Sequence, residues 1–256
     1  MRRQEHLSSV YNAIRILQSF SDEEPELGIT ELSARLGLAK STVFRLMRTL
    51  TETQLVEQDA ESRKYRLGIN TFVIGSIALR RMEIRVRAFP HLVDLLQRVR
   101  RVVRLGVYDG SGGVVYLVKL PEDKATRSLS SVGKRVAAHC TAVGKVLLAY
   151  QSPEEQERVL ARPLGACTPK TITDPERLRQ QLAQIRRQGY ATTYEESTEG
   201  LSSVAVPVLS PEGEALAAIS LTGSSNQFLA NHLHHYLREL DLASRRIAEE
   251  LALARE

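Results

Sequence analysis

The chain has 256 residues, 43% of them apolar and 25% charged, which is ordinary for a globular protein and long enough for one large or two modest domains. No apolar run approaches the ~18 residues of a membrane span, and the first residues lack the apolar core of a signal peptide. The net charge of +5 does not single out the N-terminal part, because residues 1–70 hold ten Lys/Arg against ten Asp/Glu.

Leu7, Val10, Ile14 and Leu17 keep helical spacing and predict a first helix whose apolar stripe covers the next two. An acidic, proline-broken loop follows at Asp22-Glu23-Glu24-Pro25-Glu26. Thr30 is placed to cap a second helix, and Gly37 supplies the left-handed turn that ends it. In a third helix Val43, Leu46, Met47 and Leu50 form a stripe that requires burial. Ser41, Phe44, Arg45 and Arg48 repeat that spacing about 200° away, with Lys40 and Thr42 beside them. A helix docked by one face and offering hydroxyl, aromatic and guanidinium groups on the other suits the DNA major groove. The alternative is a surface helix that happens to carry arginines.

Two short alternating runs, 55–58 and 64–67, flank a polar tip and predict a hairpin with Arg63 and Lys64 at its tip, in reach of phosphates or a minor groove. Phe72, Val73, Ile77 and Ala78 lie along a linker helix that has little of its own domain to cover. Pro90 marks a boundary or kink before an amphipathic helix carrying Leu92, Val93, Leu95, Leu96 and Val99. Arginines at 80, 81, 85, 87, 98, 100, 101 and 104 read either as a basic hinge near DNA or as a solvated helix face.

Farther on, 105–108 and 114–120 predict a hairpin about Asp109-Gly110-Ser111-Gly112-Gly113, and 127–132 an edge strand. Helices are expected at 141–150, 153–160, 175–188 and 231–252, and strands at 190–194, 201–208 and 215–222. The fold class is therefore α+β, with a mostly antiparallel sheet flanked by helices. Along the last two strands Ser203, Ser220 and Thr222 share one face of small, hydroxylated residues. Such a face can floor a ligand pocket, or simply carry hydroxyls bonded to backbone.

The chain resembles the IclR family of bacterial transcription regulators over nearly its whole length. The resemblance is carried by Ala13-Ile14-Arg15-Ile16-Leu17, Leu38-Ala39-Lys40-Ser41-Thr42-Val43-Phe44-Arg45-Leu46, Tyr65-Arg66-Leu67-Gly68, and His139-Cys140-Thr141-Ala142-Val143-Gly144-Lys145-Val146-Leu147-Leu148-Ala149. Shorter pieces are Thr168-Pro169-Lys170-Thr171, Gln188-Gly189-Tyr190, and Glu195-Glu196 with Gly200-Leu201. Two departures stand out: Thr53-Gln54-Leu55 lacks the glycine usual before the wing, and Ala137-Ala138 replaces a Pro-Leu pair before His139.

The resemblance implies a winged helix-turn-helix at 6–68, a linker helix at 69–82 and an effector-binding domain at 83–256, in a homodimer or dimer of dimers on a double-stranded DNA operator. It puts effector contacts on Ala142, Val143, Thr193, Ser203, Ser220 and Thr222, and implies a small organic or aromatic acid. None of the six is Arg or Lys, so a carboxylate would need other donors, which backbone N–H groups at the start of the 141–150 helix could supply. Val143 and Thr193 suggest a somewhat apolar pocket, which leaves a weakly charged or neutral ligand as the alternative. Glu195 and Glu196 would oppose an anion unless paired.

Other chemistry is poorly supported. Gly144-Lys145 lacks the rest of a P-loop, no Gly-x-Ser-x-Gly elbow is present, and His232, His234 and His235 have no Cys or carboxylate at metal spacing. Two cysteines, Cys140 and Cys167, make no disulfide framework, so a cytoplasmic setting is expected, with Cys140 a small buried residue. No cofactor, metal or membrane contact is called for. An enzyme acting on a small acid is the alternative, although no acid–base pair or nucleophile stands out.

Overall fold

In the computed structural model residues 7–121, 132–227 and 230–254 are described, and the chain divides into two compact units, 1–81 and 82–256. The first contains α1 (Ser8–Leu17), α2 (Ile29–Leu36), α3 (Lys40–Glu52), a hairpin of β1 (Val56–Gln58) and β2 (Tyr65–Leu67), and α4 (Ile69–Arg81). Ile16, Leu27, Leu32, Val43, Met47, Leu50, Val56 and Tyr65 form its core. Three of the four residues of the expected α1 stripe are turned outward: Leu7, Val10 and Ile14 are exposed, while the fourth, Leu17, faces the core together with Ala13, Ile16 and Phe20. Apolar residues at two different helical spacings run along this helix, and burial selects the set that meets α2 and α3.

Helix α2 starts one residue before its expected cap. Gly28 holds the N-cap position, and its N–H is accepted by the Glu31 carboxylate at 2.6 Å, so Thr30 lies inside the first turn. Gly37 ends the helix at φ 68°. Gln54, in the stretch without a glycine before the hairpin, adopts φ 56° and so holds a left-handed turn with a β-carbon present.

The second unit begins with α5 (Glu83–Val99), which runs through Pro90; the expected boundary lies eight residues earlier, at Met82. Strands β3 (Val102–Tyr108), β4 (Gly113–Leu120), β5 (Arg135–Ala137), β6 (Ala191–Tyr194), β7 (Leu201–Leu209) and β8 (Ala215–Ser224) form one antiparallel sheet in the order β5-β4-β3-β8-β7-β6. The edge is made by Arg135–Ala137. Of the expected strand over 127–132, only Val132 is among the described residues, and it lies in a turn. Helices α6 (Ala142–Ala149), α7 (Pro153–Leu160) and α8 (Pro175–Gln188) connect β5 to β6, and α9 (Ala230–Leu253) closes the chain.

Period-two alternation gives the sheet two different faces. Val103, Leu105, Val204, Val206, Val208, Ala217, Ile219 and Leu221 pack on Ala88, Leu92, Leu95 and Val99 of α5 and on Tyr236, Leu240, Ala243 and Ile247 of α9. The Val, Leu and Ile side chains among them contribute about 1.5–3 kcal/mol each when fully buried, so this layer anchors the unit. The opposite face presents Val114, Tyr116, Ala205 and Ala218 to α6 and α8. Small residues there leave room for a cavity.

Candidate functional site

In the first unit, α3 is buried along Val43, Met47 and Leu50 and exposed along Lys40, Ser41, Thr42, Phe44, Arg45 and Arg48. Phe44 is 53% exposed, a position that stability alone does not explain. Arg48 pairs with Glu52 at 3.1 Å, a surface contact of small net worth, whereas Arg45 makes no ion pair among the described residues. In the hairpin Asp59 caps the turn by accepting from Ser62 N–H at 2.7 Å, which holds its carboxyl below the usual range. Arg63 takes φ 58° after that turn. Lys64 lies beside Glu31 at 3.4 Å and Arg66 pairs with Glu57, so the two are partly neutralised at home.

In the second unit a cavity of about 370 Å³ opens between the small-residue face of the sheet and the start of α6. Ser203, Ser220 and Thr222 line it from the strands, and Ala142 and Val143 from the helix. The strands bring the hydroxyls together through register: Ser203 lies opposite Thr222, with their oxygens 2.8 Å apart, and Ser220 lies opposite Ala205. Thr193 is opposite Ser203 on the edge strand β6, but is buried and does not reach the cavity wall.

Sequence reasoning misses two cations on the cavity wall, Arg104 and Lys134. Arg104 lines the cavity, donates to Thr222 Oγ1 and stands 5.8 Å over the Tyr116 ring. Its neighbour in register is Ser220. Burial pulls its pKa below the ordinary arginine value, and among the described residues no carboxylate lies against it. The available signal is the β-branched, apolar run Val102-Val103-Arg104-Leu105, which puts Arg104 inside a strand. Of the other arginines in that stretch, Arg85 lies over Phe89, Arg87 pairs with Glu83, Arg98 with Asp94, and Arg101 donates to Tyr236.

The start of α6 faces the same space. Thr141 caps it by accepting from Gly144 N–H at 3.1 Å, and Thr141, Ala142 and Val143 all line the cavity. A β-carbon on Gly144 would lie 2.3 Å from the Ala138 carbonyl oxygen, so this close approach of helix and preceding turn requires glycine. Both flanking acids are paired. Glu196 accepts from the fully buried Lys145 at 2.6 and 2.7 Å, and Glu195 from Lys170 at 3.0 Å. An anion entering the cavity therefore meets Arg104, hydroxyls and a helix N-terminus, with the nearby carboxylates neutralised.

The histidines of α9 do not assemble a metal site: His232 and His235 lie against the Tyr236 ring, and no group of three metal-ligating side chains occurs among the described residues. No helix among them is long and apolar enough to cross a membrane.

Comparison with known proteins gives consistent matches. Residues 9–60 match the model of the IclR helix-turn-helix domain, and residues 76–249 that of the bacterial transcriptional regulator IclR C-terminal domain. The chain is 35% identical over 251 residues to the HTH-type transcriptional regulator KdgR of Dickeya chrysanthemi, covering 98% of this chain and 82% of that one. It is 35% identical over 246 residues to the HTH-type transcriptional regulator XynR of Escherichia coli K12, covering 96% and 97%. Among solved structures, an IclR homologue from Microbacterium hydrocarbonoxydans complexed with 4-hydroxybenzoate is 30% identical, with a TM-score of 0.77 and coverage of 96% and 99%. A putative IclR transcriptional regulator from Silicibacter sp. TM1040 superimposes with a TM-score of 0.84 at 28% identity, covering 94% and 95%.

Proposed function

The chain belongs to the IclR family of bacterial transcriptional regulators, and from that premise we propose that its hold on DNA is set by a small carboxylic acid bound at Arg104. It is a DNA-binding regulator with an effector-binding C-terminal domain. The observation that carries the effector class is the Arg104 guanidinium on the cavity wall, held by Thr222 and Tyr116 and facing no carboxylate among the described residues. Guanidinium matches a carboxylate in shape as well as charge. Ser203, Ser220 and the first N–H groups of α6 supply the remaining donors, while Tyr116 and Val143 give the apolar wall an aromatic acid needs. Because 4-hydroxybenzoate occupies one relative, it is the first probe to use here.

Operator contacts come from Lys40, Ser41, Thr42, Phe44, Arg45 and Arg48 on the reading helix, with Arg63 and Lys64 on the wing. A second copy of the chain is the natural cover for α4, whose Phe72 is 71% exposed and whose Ile69, Val73, Ile74 and Ile77 are also exposed. The relatives are named transcriptional regulators, and no turnover of the effector is expected.

The test is a thermal-shift screen of small organic and aromatic acids on wild type and Arg104→Met, since a ligand bound only by the native state raises its melting point. Acids that stabilise wild type but not the variant support the reading. Equal stabilisation of both would remove Arg104 from the site, and conversion of the acid to a product would favour an enzyme. Sedimentation of Phe72→Asp tests the homo-oligomer, with dissociation the expected result.

A further inference from the structure

Cys140 and Cys167 are the chain's two cysteines, 27 positions apart, and their sulfurs stand 3.3 Å from one another. Cys140 lies at the end of the short 3-10 turn Ala138–Cys140 before α6 and is buried; Cys167 lies in the connection between α7 and α8 and is exposed. Both line the effector cavity, and Cys167 also lines an adjoining depression of about 340 Å³.

The approach of the sulfurs is built into the backbone on both sides. His139 Nε2 and the Gly165 carbonyl oxygen are 2.8 Å apart, tying the turn to the connection. Thr171 Oγ1 accepts from the Cys167 and Thr168 N–H groups and donates to the Glu196 carbonyl, and Thr168 Oγ1 donates to the Glu195 carbonyl at 2.6 Å. Gly144 holds α6 against the turn on the other side. A disulfide needs the sulfurs at about 2.05 Å, so closing the gap takes little more than ~1 Å of side-chain adjustment.

We propose that Cys140 and Cys167 form an oxidisable dithiol on the cavity wall, converted by peroxide to an intrachain disulfide that ties the turn before α6 to the 161–174 connection. The accessible Cys167 sulfur attacks the peroxide O–O bond; an S–O bond forms and one water leaves. The Cys140 sulfur then attacks the Cys167 sulfur. The S–S bond forms, the S–O bond breaks, and the departing oxygen leaves as a second water carrying the Cys140 proton. Two thiols are thus oxidised by two electrons and one peroxide is reduced to two waters. Burial, with Cys167 adding to it, pushes the Cys140 thiol up to about 12, which leaves it protonated at neutral pH and assigns the first attack to Cys167. The bond would fix the spacing of two wall segments and so change the cavity's capacity for its effector.

The test treats the full chain with hydrogen peroxide, denatures it, counts thiols with a chromogenic disulfide reagent and maps peptides by mass. The expected result is a fall from two thiols to none per chain, a Cys140 peptide joined to the Cys167 peptide, and return of both thiols with dithiothreitol. Cys140→Ser should instead leave a sulfenic acid on Cys167 that a dimedone probe captures, and Cys167→Ser should keep its one thiol. Retention of the Cys140 thiol while Cys167 advances to the sulfinic acid overturns the proposal, as does a disulfide that joins two chains on a non-reducing gel.

Discussion

Replacing Lys145 by methionine should cost the second unit about 3–5 kcal/mol. Lys145 is wholly buried and both Glu196 oxygens lie within 2.7 Å of its Nζ, so the variant leaves a buried carboxylate without its cation. The pair itself is not a large source of stability. Burial pulls the Lys145 pKa below the usual lysine value even against the opposing pull of Glu196, so desolvation outweighs the attraction. The double variant Lys145→Met/Glu196→Leu is therefore expected within about 1 kcal/mol of wild type, or above it. At roughly 2–4 °C per kcal/mol for a unit of this size, the single variant melts about 6–20 °C lower and the double variant recovers most of the loss. Calorimetry on the two variants and Glu196→Leu gives the coupling energy directly. A single-variant loss under about 1 kcal/mol, or a double variant no better than the single ones, would refute this account of the pair.

Arg45→Ala should cost about 1–3 kcal/mol on operator DNA and relax preference at one base pair per half-site, measured by anisotropy against scrambled DNA; an equal loss on both would move Arg45 off the reading face. Glu31→Gln keeps an acceptor for Gly28 N–H while releasing Lys64, so it should tighten binding to all sequences and steepen the salt dependence, read from affinity against salt concentration. Ser220→Val should weaken a bound carboxylate roughly tenfold to a hundredfold by calorimetric titration while leaving operator binding unchanged; an undiminished response would count against the hydroxylated face. Gln54→Gly should raise stability by up to about 1 kcal/mol in urea unfolding, because it relieves a left-handed residue.

What could be read from the sequence, and what could not, follows from which interactions are local. Gly37, the prolines that open α7 and α8, and the alternation along β7 and β8 act within a few residues, and the elements fall where those signals put them. The face of α1 is not legible locally, because two apolar spacings compete on one helix and only α2 and α3 decide between them. Arg104 groups with its arginine neighbours when the strand is started at 105, three residues after its true beginning at Val102, and its surroundings depend on β8, more than a hundred positions away. Thr193 shares a face with Ser203, yet edge position rather than face keeps it from the cavity. The pairing of Cys140 with Cys167 is likewise a product of tertiary structure.

The order of the sheet sets an order of events during synthesis. The DNA-reading unit is a compact unit within the first 81 residues with its own hydrophobic core, so it can fold as soon as that stretch leaves the ribosome. The cavity has no such independence, since its central strand pair joins β3, beginning at Val102, to β8, ending at Ser224. Until β8 is made, Arg104 has neither Thr222 nor Ser220 beside it, and such long-range pairing forms slowly. The nascent chain thus passes through a stage with its reading head complete and its sensor unformed. A messenger truncated in that interval would encode a DNA-binding fragment without the cavity through which a metabolite could act.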